Sequence, residues 1–486
     1  MDRYDLCVVG AGPGGFAGAI RATDLGKRVA LVDGGPLGGA GIFDGALSSK
    51  TLWHLSGDFA RARRCDRGYD GGALTASWSE IRAQVASACG EAQALLEQQL
   101  RALADRSADG SRGSIERIRG RGQFVAHDAI RVGDRTIAAD RFLITVGSKP
   151  RVPPNIPVDG VRVLTSDHIE HVAELPGRLA IIGAGVVGCE YATIFAHFGS
   201  TRVELFDRQP RILPFEDEDV SAVVAARFSE IGVCVHRKAQ IQAVKVIGTE
   251  SDGAAEVTWL DETGAQRTER YDRVLVATGR APSTTGLGLE HPGVAVDPRT
   301  GGIIVESCRT SASHIWAAGD VTPDLMLANL AELEARHCVE DMYGLDPPPI
   351  IHEAQSAIYF LSPEVAAVGL DEQMARAKGI RYRAAIVSNS LNRRNLAMRA
   401  TAGFVKLLAR PDGRLLGLRV VGPQAGTCIQ GVALLIGQGG TLDAVDRCVH
   451  PHPAVTEGVL EAARLLLGTS LYKPDAMDGR CRIVDG

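Results

Sequence analysis

Gly10-Ala11-Gly12-Pro13-Gly14-Gly15 and Gly183-Ala184-Gly185-Val186-Val187-Gly188 are two copies of one phosphate-cradling pattern. In each, the first glycine permits a tight turn, the second lets backbone approach a pyrophosphate, and the third lets a helix pack on its strand. Each copy follows an apolar run, Leu6 to Val9 or Leu179 to Ile182, and leads through a helical stretch into a second strand ending in an acid, Asp33 or Asp207. Those carboxylates stand where they would accept hydrogen bonds from an adenosine ribose. Two dinucleotide sites in one chain imply an electron carrier supplied by a second carrier, and hence redox chemistry.

Further strands repeat the arrangement. Phe142 to Ser148 and Val274 to Arg280 each run into a glycine turn and read as matching closing strands of two similar nucleotide-binding units; Ile315 to Val321 offers Asp320 at a strand end. Proline-rich breaks at Pro150 to Pro157 and Pro347 to Pro349 bracket the middle of the chain and precede a distinct last segment. Trp78 to Ala104 has the apolar spacing of a long amphipathic helix, Arg61 through Gly72 reads as a solvated loop, and the polar stretch Tyr472 to Gly486 is expected to be mobile.

At 486 residues the chain exceeds one ordinary core, and about 150 residues per domain suggests three. A formal charge of −5 gives no footprint for nucleic acid or an anionic membrane. The start, Met1-Asp2-Arg3-Tyr4-Asp5, leads into a strand rather than a secretory signal, and no apolar run approaches the roughly twenty residues that span a bilayer, so a cytoplasmic location is expected. The ten cysteines are scattered without a C-x-x-C, which points away from zinc sites and secreted disulfide frameworks.

Gly10 to Gly15, Thr145-Val146-Gly147-Ser148, the second fingerprint with Glu190, Ala318-Gly319-Asp320, and His450-Pro451-His452-Pro453 followed by Glu457 together resemble the pyridine nucleotide-disulfide oxidoreductases over nearly the whole chain. The resemblance implies an α/β fold with two Rossmann-like domains. An FAD domain (1–150 and 281–348) would be split around an NAD(P) domain (151–280), followed by an α+β dimerisation domain (349–486). It also implies a homodimer in which His452 of the partner subunit completes the active site. Carried onto this chain, Gly10, Gly12, Gly14, Gly15, Asp33, Lys50, Thr145, Gly147, Ser148, Gly319 and Asp320 would hold FAD. Gly183, Gly185, Gly188, Asp207, Arg208 and Gly279 would hold the nicotinamide dinucleotide.

The chain departs from the family pattern where the redox disulfide is expected. Two cysteines with four residues between them normally precede Pro-Ser-Lys, but this sequence reads Gly41-Ile42-Phe43-Asp44-Gly45-Ala46-Leu47-Ser48-Ser49-Lys50. Gly41 and Ala46 fall on the cysteine positions, and neither can form a thiolate or relay electrons covalently. Disulfide reduction by the family's usual route is therefore not expected.

The remaining residues still suit catalysis. Lys50 would stabilise negative charge beside the flavin and Glu190 would balance that lysine. An imidazole at His452 oriented by Glu457 could exchange a proton with a substrate at neutral pH; His450 is assigned a structural role. The small residues at 41 and 46 could leave room for a flat acceptor, with Phe43 stacking on it and Asp44 making a polar contact; alternatively Phe43 packs inward and Asp44 caps the following helix. Asp207 favours NAD over NADP, because a carboxylate there accepts from ribose hydroxyls and repels a 2′-phosphate. Arg208 and Arg211 could reverse that choice if turned inward.

The expected function is an FAD-dependent NAD(P)H oxidoreductase passing electrons directly from flavin to a quinone-like or other small organic acceptor. Alternatives are hydride exchange between NADH and NADP, suggested by the likeness of Gly183 to Phe195 to soluble transhydrogenase; flavin-dependent dehydrogenation of a small metabolite with NAD as acceptor; and a non-catalytic FAD-binding scaffold.

Overall fold

A computed structural model describes residues 2–68, 72–105, 113–248 and 253–486. The chain forms two compact units, Met1–Leu175 with Val276–Ile350, and Pro176–Leu275 with Ile351–Gly486.

In the first unit Leu6, Cys7 and Val8 are fully buried. A run apolar at every position must be covered on both faces, the condition of a parallel sheet. Strands Ser114–Arg119, Arg28–Asp33, Asp2–Val9 and Arg135–Ile144 lie side by side in that order, all parallel, and Ile315–Ala317 joins Arg135–Ile144 in the same sense. The register sets Cys7 between Ala30 and Phe142. Helices Pro13–Asp24 and Ala328–Met342 pack together, with Ala19, Ala22, Ala335 and Cys338 in one apolar cluster with Leu6, Val8 and Leu143.

The long helix expected from Trp78 spans Trp78–Asp105. Its buried residues Trp78, Val85, Cys89, Leu100 and Leu103 fall on one helical stripe. The solvated loop expected at Arg61 begins later, because helix Ala46–Ala62 absorbs Arg61 in its last turn. Arg64 to Gly68 is exposed and irregular, and residues 69–71 lie outside the described residues.

In the second unit, strands Cys234–His236, Arg202–Phe206, Arg178–Ile182 and Arg273–Val276 are neighbours in that order. A three-stranded antiparallel sheet, Gln240–Ile247, Ala254–Leu260 and Gln266–Tyr271, accompanies them. The chain after Ile351 builds a six-stranded antiparallel sheet with helices Gly426–Gly437 and Glu457–Leu467 packed on it. The tail after Leu471 is ordered, contrary to the expectation of mobility. Cys481–Asp485 pairs antiparallel with Arg383–Ser388, Cys481 is 1% exposed, and the Tyr472 hydroxyl donates to Leu391 O at 2.9 Å. Backbone pairing at a sheet edge fixes a segment that its polar composition alone would leave loose.

Buried charge ties the nucleotide-type sheet to the six-stranded one inside this unit. Lys406, fully buried, reaches Asp217, Asp219 and Glu372 at 2.9, 2.6 and 2.7 Å. Arg419 pairs with Glu216 at 2.5 Å. Burial works against the Lys406 charge, but the hydrogen bonds it donates to the three carboxylates outweigh it and hold its pKa above the ordinary lysine value.

Candidate active site

The first glycine turn has the stereochemistry its sequence requires. Gly10 has φ +107°, and a Cβ there would sit 2.4 Å from Thr145 O. A Cβ at Gly15 would lie 1.8 Å from Gly10 O, so strand and helix could not keep their approach with any larger residue. Gly12 precedes helix Pro13–Asp24, and space beyond its missing Cβ is open. An open backbone face at a helix N-terminus is what a pyrophosphate needs. Thr145 closes the turn, its hydroxyl donating towards Gly10 O at 3.0 Å and its N–H to Val9 O at 2.8 Å.

Asp33, 5% exposed, ends its strand at a cavity of about 380 Å³ lined by Gly34, Gly35, Pro36, Gln93, Arg117, Arg119 and Gly120. Its carboxylate accepts from Gly35 N at 3.2 Å and from Arg117 at 2.5 Å. The sequence reading missed Arg117 and Arg119. They alternate along the strand parallel to Arg28–Asp33, which sets Arg119 beside Asp33. Glycine turn, acid and cavity together fit the adenosine and pyrophosphate of FAD.

A second polar group forms beyond Ile144. The Ser148 hydroxyl donates to Asp320 at 2.7 Å and accepts from Arg280 Nε at 2.7 Å. Gly147 and Gly319 have φ +67° and +75°, and Gly319 N donates to Glu334 at 2.7 Å. Arg280 was also missed, although it follows Gly279 directly. Gly279, assigned to the nicotinamide site from sequence, lies in the first unit, where its carbonyl accepts from Arg151 N at 2.9 Å.

The loop Gly38 to Gly45 lies beside the first glycine turn, Gly38 N donating to Ala11 O at 2.9 Å. A Cβ on Gly41 would fall 2.4 Å from Pro13 Cγ. Ala46 opens helix Ala46–Ala62, and Lys50, four residues on and on the same helical face, is half-buried with Nζ 3.3 Å from Ser49 Oγ. Asp44 is not the helix cap: Gly45 holds that position and no side chain caps the helix. Asp44 instead has φ +53°, and its N–H donates to Glu170 at 3.2 Å. Burial pushes its carboxyl up to about 6, with the charges of Glu170 and Asp167 adding to the effect. Phe43 is half-buried.

In the second unit the other fingerprint repeats the geometry. Gly183 has φ +108°, a Cβ on Gly188 would lie 1.8 Å from Gly183 O, and Gly185 faces open space. Asp207 follows strand Arg202–Phe206 and accepts from Ala184 N at 2.6 Å and Gln209 N at 2.8 Å. Arg208 is exposed. Arg211 turns into its own loop, donating to Pro214 O and Glu216 O, both at 3.0 Å, and pairing with Glu218 at 2.8 Å. Glu190, 5% exposed on helix Val186–Phe198, accepts from Phe360 N at 3.0 Å.

His452 and Glu457 meet as their spacing suggests. Nδ1 of His452 lies 2.7 Å from Glu457 Oε1, and the other carboxylate oxygen accepts from Ala454 N at 3.0 Å. Burial raises the Glu457 pKa, but the His452 hydrogen bond and the Ala454 N–H prevail and hold it below the ordinary glutamate value. An ionised acceptor on Nδ1 fixes the proton there, leaving Nε2 to exchange protons on a side chain that is 56% exposed.

Among the described residues, Asp217, Asp219 and Glu372 are spaced to chelate a metal ion, but Lys406 already supplies the positive charge between them. All ten cysteines are free thiols. No helix among the described residues is long and apolar enough to cross a membrane.

Comparison with known proteins agrees with this architecture. Residues 4–335 match the family described as pyridine nucleotide-disulphide oxidoreductase, and residues 355–463 match its dimerisation domain. Dihydrolipoyl dehydrogenase of Geobacillus stearothermophilus is 32% identical over 96% of this chain and 97% of its own length. A Bacillus subtilis dihydrolipoyl dehydrogenase is 30% identical over 96% and 97%. The crystal structure of LpdA from Mycobacterium tuberculosis superposes with a TM-score of 0.85 at 28% identity, covering 96% of this chain and all of that one. The glycine turns, their terminal acids and the carboxylate-held histidine thus sit in a fold shared along nearly the full length, and the chain belongs to the pyridine nucleotide-disulphide oxidoreductase family of FAD- and NAD-binding oxidoreductases.

Proposed function

We propose that this family member is an NADH oxidoreductase that delivers electrons to a quinone-like small organic acceptor without a thiol relay. The observation that carries the reading is Gly41. The position lacks a sulfur, and Pro13 fills the space a side chain would need. FAD, when bound, supplies a two-electron carrier that takes hydride from one substrate and passes it to another.

The chain's own groups then divide the work. Gly12, Gly14, Asp33 and the Ser148–Arg280–Asp320 group would hold the cofactor, and Lys50 would place positive charge beside it. Asp207, pinned by two backbone N–H groups, keeps a carboxylate at the second ribose, and Arg211 is committed to its own loop; both favour NAD over NADP. Phe43 and Asp44 flank the acceptor. Across the homodimer, His452 of the partner subunit gives a proton from Nε2 to the acceptor oxygen, and Glu457 stabilises the charge changes. The balance is NADH, one proton and a quinone giving NAD⁺ and the hydroquinone.

The test is anaerobic stopped-flow on protein whose accessible thiols have been alkylated with N-ethylmaleimide. Retained bleaching by NADH and retained reoxidation by benzoquinone support the reading. Loss of both on alkylation, or reoxidation by NADP alone, overturns it, the latter outcome identifying a transhydrogenase.

A further inference from the structure

Cys308 lies in a two-residue turn. Glu306 and Arg309 exchange both backbone hydrogen bonds at 2.9 Å, while Ser307 and Cys308 take φ +47° and +67°. Two consecutive left-handed residues suit Asn-Gly and disfavour residues that carry larger side chains. The strained turn is docked on helix Ala328–Met342. Arg309 pairs with Asp341 at 2.5 Å, and Cys338 lies three residues before Asp341 on the same helical face. Both cysteines also flank Ala317: its N–H donates to Cys308 O at 3.0 Å, and the Cys338 thiol points at its carbonyl at 4.0 Å. Cys338 belongs to one buried apolar cluster, and Cys308 packs against that same cluster.

We propose that Cys308 and Cys338 are a redox modification site, closing to a disulfide when the protein meets hydrogen peroxide. Cys338 is fully buried and Cys308 half-buried, so solvent oxidant reaches Cys308 first. Burial and then the neighbouring Cys308 thiol keep Cys338 protonated, so Cys308 and not Cys338 is the thiol that peroxide oxidises first. Cys308 sulfur attacks one peroxide oxygen, the O–O bond breaks and water leaves, giving a sulfenic acid. The Cys338 sulfur displaces that hydroxyl as a second water. Two thiols lose two protons and two electrons in all, and peroxide becomes two waters. The bond staples the turn to the helix carrying Glu334, whose carboxylate holds Gly319 N beside Asp320. This site is independent of the acceptor proposed above.

The experiment treats the full-length, FAD-loaded protein with equimolar hydrogen peroxide, alkylates it after unfolding, and maps peptides by mass spectrometry. The expected result is a Cys308–Cys338 cross-linked peptide, two fewer titratable thiols per chain, and full recovery with dithiothreitol. Cys308→Ser, at an exposed turn, abolishes the cross-link and leaves Cys338 alkylated. Recovery of both cysteines alkylated, Cys308 as a sulfinic acid, or either cysteine bonded to a different partner would overturn the proposal.

Discussion

Pro13 and Gly41 share one space: the Cβ that any side chain would carry at Gly41 projects to within 2.4 Å of Pro13 Cγ. The first glycine turn thus presses on the loop where relatives are expected to carry a thiol. The Gly41→Cys, Ala46→Cys double variant should therefore express but fail to gain dihydrolipoamide reduction. Thiol titration before and after dithiothreitol, with an NADH-linked assay, checks this; rapid disulfide turnover would show that the loop accommodates the pair.

The His452–Glu457 hydrogen bond gives a second prediction. His452→Ala should keep NADH-driven bleaching within a factor of about two while slowing acceptor reduction by roughly 10²- to 10⁴-fold, the range of a lost general acid. Glu457→Gln should show a smaller loss of the same kind. Equal losses in both half-reactions would remove the proton-donor role.

Asp207 supplies the third. With its carboxylate held against the second glycine turn, Asp207→Ser should raise the NADH KM and narrow the preference over NADPH by about tenfold, roughly the effect of 1.4 kcal/mol. Steady-state kinetics with both nucleotides measure it. An unchanged ratio would place discrimination elsewhere in the site.

His314 predicts a pH dependence. Burial, partly offset by its hydrogen bond to His127 O, lowers its pKa below the ordinary imidazole value. A depressed histidine favours the neutral folded form, so its contribution is complete above the unfolded-state pKa of about 6.5 and shrinks as pH falls through it. Thermal unfolding should show Tm dropping through that range, and His314→Gln should flatten the drop. A parallel decline in both proteins would assign the pH dependence to other groups.

The glycine turns were legible because their backbone demands leave few residue choices: Gly15 and Gly188 each sit against the carbonyl of the turn's first glycine. The His452–Glu457 contact was legible from five-residue spacing at a helix start. Arg117, Arg119 and Arg280 were not, since they reach their partners through strand neighbours distant in sequence. Asp44 was read as a polar contact or a cap, but the acid facing it, Glu170, lies 126 residues away. The ordered tail was missed for the same reason, its partner strand being Arg383–Ser388.

Anaerobic titration of the FAD-loaded protein with NADH tests the central claim most directly. A carrier without a sulfur relay should bleach completely with one equivalent of NADH per flavin and show no long-wavelength thiolate charge-transfer band. A requirement for two equivalents, with that band appearing after the first, would contradict it.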